Sequence, residues 1–332
     1  MRSVDLLDTR DGPVVEMIDQ TLLPAELVML RCRTPVEVTD AIGRLAVRGA
    51  PALGVAGAMG VALAAWHATA GMTAEIDALR DARPPAVNLA RGVDRAAGAL
   101  AGGYPAVRDA ALALRDEEEA ASRAMATRGA DVVGELLGDA PARVLTHCNK
   151  GLLATTGDGI ALAVVREIHR RQRLASVVVA SETRPLLQGA RLTGWELERL
   201  GVPYRIAVDG AGPFLLARGE ANVVLLGADR VCANGDVVNK VGTYAHALGA
   251  HRAGVPFLVV APESTVDRDT ASGDRVSIED RGAAEVLGFA GVRVAPEAAG
   301  AINPAFDVTP ADLVTALVTD RCVVRYDRGE LP

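Results

Sequence analysis

Five short, largely apolar runs after residue 140 constrain this chain more than any other feature. They lie at 143–146, 176–180, 204–207, 223–226 and 257–261. Between them, 158–172, 187–200, 211–217 and 242–253 read as helices. Continuous apolar strands that alternate with helices form a parallel sheet covered on both faces, because each crossover helix packs back onto the sheet. The expected class is therefore α/β. In such sheets ligands bind beyond the carboxyl ends of the strands.

The first 140 residues follow a different pattern. Runs at 14–18 and 27–30 read as a small hairpin. Thr34-Pro35-Val36-Glu37 supplies an N-cap and a proline at the first helical position, for a helix to about Val47. An Ala-rich helix follows at 52–69, a third is stopped by Arg83-Pro84-Pro85, and further helices read at 88–102 and 106–138. The pattern predicts a mostly helical N-terminal domain with a short sheet over 1–140 and a parallel-sheet domain over 141–332.

Composition narrows the function. A net charge of −7 with no Lys/Arg-rich block argues against a nucleic-acid partner. Apolar stretches are interrupted before they reach membrane-spanning length, and the N-terminus lacks a signal-peptide core. Cys32, Cys148, Cys232 and Cys322 are scattered without a CxxC or a disulfide framework, which fits a reducing cytoplasm. Cys232 and Cys322 read as structural, buried thiols. Among 35 basic residues only Lys150 and Lys240 are lysine, and asparagine is also scarce. Positions that keep these residues draw attention.

Polar, Gly-containing clusters follow the apolar runs: His147-Cys148-Asn149-Lys150-Gly151, Ser181-Glu182-Thr183-Arg184-Pro185, Gly227-Ala228-Asp229-Arg230 and Pro262-Glu263-Ser264-Thr265. Strand topology puts these at one sheet edge, where a thiol, a carboxylate, hydroxyls and cations converge. Thr156-Gly157-Asp158-Gly159 does not complete a dinucleotide fingerprint, since residue 162 is Leu. No phosphate loop is present, and no His/Cys/Asp set has metal-ligand spacing, so neither a cofactor nor a metal is expected. Gly54, Gly57 and Gly60 read as small residues for close helix packing. Arg48-Gly49-Ala50-Pro51 puts a cation beside a helix N-terminus, a suitable phosphate site. Asn239-Lys240 reads as the opening of the helix at 242, where a lysine opposes the helix dipole and anion binding explains it better than stability.

Several of these segments together resemble one family. Arg48-Gly49-Ala50-Pro51-Ala52-Leu53-Gly54, Thr146-His147-Cys148-Asn149, Gln188-Gly189-Ala190-Arg191-Leu192-Thr193, Gly227-Ala228-Asp229-Arg230, Asn234-Gly235-Asp236, Asn239-Lys240-Val241-Gly242-Thr243-Tyr244 and Asn303-Pro304-Ala305-Phe306-Asp307-Val308-Thr309-Pro310 resemble the S-methyl-5-thioribose-1-phosphate isomerase family of methionine salvage. The resemblance runs from about residue 14 to 326. The wider family includes ribose-1,5-bisphosphate isomerases and regulatory subunits of the guanine-nucleotide exchange factor of eukaryotic translation initiation. The resemblance implies a Rossmann-like C-terminal domain, a homodimer, and aldose–ketose isomerisation of a sugar phosphate without cofactor. It carries the catalytic roles onto Cys148 and Asp229. It carries substrate binding onto Arg48, Gly49, Ala50, Arg83, Gln188, Asn239 and Lys240.

The implied chemistry has a reason for these groups. With phosphate on the anomeric oxygen, the sugar cannot open by losing that hydroxyl proton. A donor must protonate the ring oxygen, a task for an un-ionised Asp229 secluded from water. Cys148 then stabilises the transition state or assists hydrogen transfer from C2 to C1. Lys150 departs from the family, which usually has a small residue there. It can lower the thiol pKa, contact an anionic group or point to solvent. Asp158 and Ile160 depart from a Tyr and a Thr. The C5 substituent therefore stays open between methylthio, methyl (5-deoxyribose 1-phosphate) and phosphate (ribose 1,5-bisphosphate). A non-catalytic regulatory subunit that binds sugar phosphates or nucleotides is the alternative from another class.

Overall fold

Strand and helix alternate through the second half of the chain, as its apolar pattern requires. The computed structural model describes residues 1–83, 87–175, 177–289 and 291–332. The expected helix stop at Pro84-Pro85 and the expected strand start at Ser176 lie outside the described residues. Parallel strands run at Val144–Thr146, Val178–Ser181, Tyr204–Ala207, Val223–Gly227, Phe257–Val260 and Ala316–Val318. Val323–Arg325 adds an antiparallel edge. Across the sheet, the parallel strands follow the chain order third, second, first, fourth, fifth, sixth. This is the doubly wound arrangement of a mixed α/β fold. Val223, Val224, Leu225 and Leu226 are all fully buried in the central fourth strand. At about 1.5–3 kcal/mol for each such side chain, that burial makes a continuous apolar run here favourable.

Two strands of this sheet and a whole second sheet go beyond the sequence pattern. Ala316–Val318 and Val323–Arg325 are each three residues long, too short for a periodicity to show. A four-stranded sheet joins Val266–Asp267, Arg230–Cys232, Val237–Lys240 and Phe306–Thr309. Near the N-terminus the antiparallel sheet has three strands, Val4–Thr9, Gly12–Ile18 and Met29–Cys32. The expected hairpin is present, but its second strand is Met29–Cys32, two residues later than 27–30, and Val4–Thr9 is added through an Arg10-Asp11 turn followed by Gly12 at φ +107°.

The N-terminal helices are Pro35–Gly43, Ala50–His67, Met72–Arg80, Val87–Ala97 and Gly103–Leu137. Thr34 and Glu37 form a reciprocal capping box on the first. That helix ends at Gly43 and not near Val47, because Leu45 turns left-handed at φ +65°. Packing divides the chain into two compact units, 1–124 with 150–163, and 125–149 with 164–332. This differs from a single boundary at 140. The segment 150–163 packs with the first unit, and the end of the long helix packs with the second.

In the first unit, helix Ala50–His67 is buried at every position from Pro51 to Ala64. It crosses Val87–Ala97 at backbone distance. A Cβ on Gly92 would fall inside the carbonyl group of Gly54, and a Cβ on Gly54 would stand 2.8 Å from the Asn88 carbonyl oxygen. Backbone cannot yield there as a flexible side chain can. We expect Gly92→Ala to lower the unfolding free energy by about 2 kcal/mol or more. Gly134→Ala, in the long helix with nothing within 4 Å of its Cβ, should be neutral or stabilising by up to about 1 kcal/mol. Urea denaturation midpoints test both, and a wild-type midpoint for Gly92→Ala would contradict the close crossing.

Candidate active site

The winding of the parallel sheet reverses between its first and fourth strands, which pair through Val144–Val223 and Leu145–Val224. Loops leaving two neighbours that wind in opposite directions part from each other and open a crevice. Cys148 stands two residues beyond the first strand and Asp229 two beyond the fourth. Cys148 is buried and Asp229 half-buried. Lys240, itself only 5% exposed, interacts electrostatically with both. Burial pushes the Lys240 ammonium below its ordinary pKa; Cys148, Glu285 and Asp229 pull it back up, and Arg281 lowers it further. A thiol, a carboxylate and a buried cation thus share one field.

Neighbouring loops complete the arrangement in this second unit. The Cys148 N–H donates to Thr183 Oγ1 at 2.9 Å, and the Thr193 hydroxyl donates to the Cys148 carbonyl at 2.7 Å. Asn149 Nδ2 donates to Glu196 Oε1 at 2.7 Å, tying the same segment to helix Gly194–Arg199. Gln188 precedes a wide helical turn, Gly189–Thr193, packed tightly on the Ser181 carbonyl. Gln188 Oε1 and Asn239 Oδ1 are buried acceptors without a hydrogen-bond partner among the described residues. Such atoms are uncommon in a native fold and call for an explanation, which a ligand hydroxyl would supply.

The expected site residues divide between the units. Cys148, Asp229, Gln188, Asn239 and Lys240 belong to the second, and Arg48, Gly49, Ala50 and Arg83 to the first. Arg48 and Arg83 are half-buried. Gly49, at φ +97°, begins helix Ala50–His67 without a side-chain cap. A Cβ there would overlap the Ala154 backbone, so only glycine fits. A bare helix start of this kind offers N–H groups to an anion.

Three expectations need correction. Asn239-Lys240 does not open a helix: both residues end strand Val237–Lys240, and the helix begins at Thr243. Its first N–H groups are taken by the protein itself, since Asp307 Oδ2 accepts from Gly242 at 2.7 Å and Tyr244 at 3.1 Å. The pairing of Asp307 with Asn239 across the small sheet brings that carboxylate there. Lys150 is 6% exposed, so it does not point to solvent. Cys322 is exposed, unlike Cys232, whose thiol burial pushes up to about 11. Sequence reasoning also passed over Asp307, Asp209 and Glu285. Asp307 lay within a quoted motif, but only the strand pairing reveals what it does.

Comparison with known proteins identifies the family. Residues 46–325 match the Initiation factor 2 subunit family. The chain is 51% identical over 333 residues to a probable bifunctional methylthioribose-1-phosphate isomerase/methylthioribulose-1-phosphate dehydratase of Nocardia farcinica. That match covers 98% of this chain, which spans 60% of the length of the Nocardia protein. Identity is 48% over 332 residues to 5-deoxyribose 1-phosphate isomerase of Moorella thermoacetica, covering 95% of this chain and 93% of that protein. The crystal structure of 5-methylthioribose 1-phosphate isomerase from Pyrococcus horikoshii is similar at TM-score 0.89 and 37% identity, over 98% of this chain and 92% of that one.

Beside Cys148 lies a pair of buried histidines. The Val241 carbonyl can only accept, so His147 Nε2–H donates to it at 2.9 Å. His147 Nδ1 is then left to accept from His246 Nε2–H at 3.3 Å. Burial pushes both rings below the ordinary histidine range, His246 to about 3. The unfolded chain therefore binds protons below pH 6.5 that the folded chain refuses, and stability falls as pH drops from there toward 3. One such histidine contributes a slope of about 1.4 kcal/mol per pH unit. We expect His246→Asn to flatten the acid limb by about that much between pH 6 and 4. Urea titrations across that range measure it, and an unchanged slope would refute the assignment.

Proposed function

This chain belongs to the Initiation factor 2 subunit family, and within it we propose an isomerase that converts 5-methylthioribose 1-phosphate to 5-methylthioribulose 1-phosphate, a step of methionine salvage. The observation that carries the reading is the pairing of Cys148 and Asp229 on the two strand ends that flank the reversal of the sheet, with Lys240 in the field of both. The names of the Nocardia relative and of the Pyrococcus structure support the same substrate. A second reading, 5-deoxyribose 1-phosphate as substrate, is favoured by the name of the Moorella relative.

The proposed steps follow from the blocked anomeric oxygen. Asp229 gives its proton to the ring oxygen as the bond from that oxygen to C1 breaks. The hydrogen on C2 passes to C1, and the 2-hydroxyl proton, released as the C2 ketone forms, returns to the Asp229 carboxylate and restores the acid. Substrate and product are isomers, so no outside oxidant or reductant enters the balance. Cys148 lines the path of the hydrogen and stabilises the charge that develops there. Lys240 supplies a fixed cation in a poorly solvated place, where its field is strong. Gln188 Oε1 and Asn239 Oδ1 accept from sugar hydroxyls. For Arg48, Gly49, Ala50 and Arg83, which belong to the first unit, a substrate-binding role is proposed from the family resemblance alone.

The proposed assembly is a homodimer in the cytoplasm. Val208, Phe214, Tyr244 and Leu248 are apolar and exposed around helices Gly212–Ala217 and Thr243–Ala253, which supports burial against a second copy.

Cys148→Ser and Asp229→Asn should each lower turnover of 5-methylthioribose 1-phosphate by roughly tenfold or more, with melting temperature and circular dichroism retained. Proton NMR of ketose formation measures this, run in parallel on 5-deoxyribose 1-phosphate and ribose 1,5-bisphosphate. Near-normal turnover in either variant would remove that residue from the mechanism. Ketose from the deoxy sugar alone would transfer the reading to that substrate, and none from any of the three would leave a binding subunit.

A further inference from the structure

Three adjacent strand ends are laced together by hydrogen bonds that lead to Cys148. We propose that Thr183, backed by the Asp209 carboxylate, is a positioning residue that holds Cys148 in a left-handed turn and so aims its thiol. The inference rests on the reading of Cys148 as a catalytic residue. Its starting point is backbone conformation. Cys148 sits at φ +63° and Thr183 at φ +67°. Side chains rarely adopt this region, and a β-branched residue such as threonine least of all. Such residues persist only where the surroundings over-determine them, and they cluster at functional sites.

The surroundings here do so in sequence. Asp209 follows the third strand of the parallel sheet, Thr183 the second and Cys148 the first. Asp209 Oδ1 accepts the Thr183 N–H at 2.7 Å, and Oδ2 accepts the Arg184 N–H at 2.6 Å. The Ser181 hydroxyl donates to the same carboxylate. Burial opposes the charge, yet these hydrogen bonds hold the Asp209 carboxyl below its ordinary pKa, so it is an acceptor throughout the neutral range.

The loop that Asp209 fixes carries the Thr183 hydroxyl. Its hydrogen goes to the Ser181 carbonyl at 3.0 Å, which leaves a lone pair of Oγ1 for the Cys148 N–H at 2.9 Å. The direction of the hydroxyl is thereby settled, and the Cys148 N–H has a defined acceptor on the neighbouring strand end. The Thr193 hydroxyl binds the Cys148 carbonyl from the other side. Both polar groups of the Cys148 backbone thus end on threonine oxygens, and neither continues the sheet ladder. Without the Thr183 acceptor, only the Thr193 hydrogen bond would still oppose relaxation of Cys148 to an extended conformation, which would re-aim the thiol.

Thr183→Val keeps shape and branching and removes only the hydroxyl. We expect kcat for ketose formation to fall by about tenfold or more, since small displacements of a reacting group have large kinetic effects. KM should stay within about twofold, the signature of an interaction used after binding. Thr183→Ser restores the acceptor and should return kcat to within about threefold of wild type. Asp209→Asn should reproduce the kcat loss at retained KM, and it carries the test if Thr183→Val does not fold. Wild-type kcat in Thr183→Val or in Asp209→Asn overturns the proposal, as does equal impairment of the Val and Ser variants. Cys148→Ser runs alongside. If it is inactive while Thr183→Val is normal, the positioning role fails and the site reading stands. If it is active, the site reading itself fails.

Discussion

A sheet that winds one way and then the other must leave a gap where the direction changes, and the candidate residues Cys148 and Asp229 stand at that gap. The first and fourth parallel strands are hydrogen-bonded neighbours, so the chain just beyond their ends begins a few ångströms apart. The turns then diverge, because each must reach a crossover helix on its own side. Two reactive groups can stand in such a place without being close in sequence. Cys148 and Asp229 are separated by 80 residues of chain, yet each follows its strand by two positions. The fully buried run Val223–Leu226 gives Asp229 a rigid base. Strand ends position side chains better than free loops do.

The lysines tell a related story about charge. In a chain that otherwise uses arginine, both lysines are buried, at 6% and 5% exposure for Lys150 and Lys240. An ammonium is a compact point charge, whereas a guanidinium needs a broad, planar arrangement of acceptors. A buried cation is expensive unless anionic or dipolar partners surround it. Burial lowers the Lys240 pKa, Cys148, Glu285 and Asp229 counter that effect, and Arg281 adds to it.

Much of this was legible in the sequence because it rests on local rules. The Thr34 N-cap with Pro35 at the first helical position, the glycines of the Ala-rich helix and five of the parallel strands all came from spacing and residue type. The clusters after each strand located Cys148 and Asp229 once the sheet was inferred. What escaped has a common cause, dependence on partners far away in the chain. Asn239-Lys240 looked like a helix start because Gly242-Thr243 follows, but pairing with Phe306–Thr309 makes it a strand. The same pairing delivers Asp307 to the helix N-terminus, so a dipole that seemed to await a ligand is answered internally. Nor does any spacing connect Asp209 to Thr183, or Thr183 to Cys148. Those links exist only after three strands lie side by side.

The return of 150–163 to the first unit has a consequence for how the chain is made. Gln20 Nε2 donates to the Leu153 carbonyl at 2.7 Å, the Ser3 hydroxyl donates to the Thr155 carbonyl, and Gly49 packs on the Ala154 backbone. A nascent polypeptide emerging from the ribosome lacks these contacts until well after its helical half has been extruded. The N-terminal unit therefore waits, incompletely closed, for a stretch that is synthesised only after the first strand of the other unit. Strict vectorial order, one module finished before the next begins, is therefore not open to the first unit, which closes only after residues 150–163 have been made.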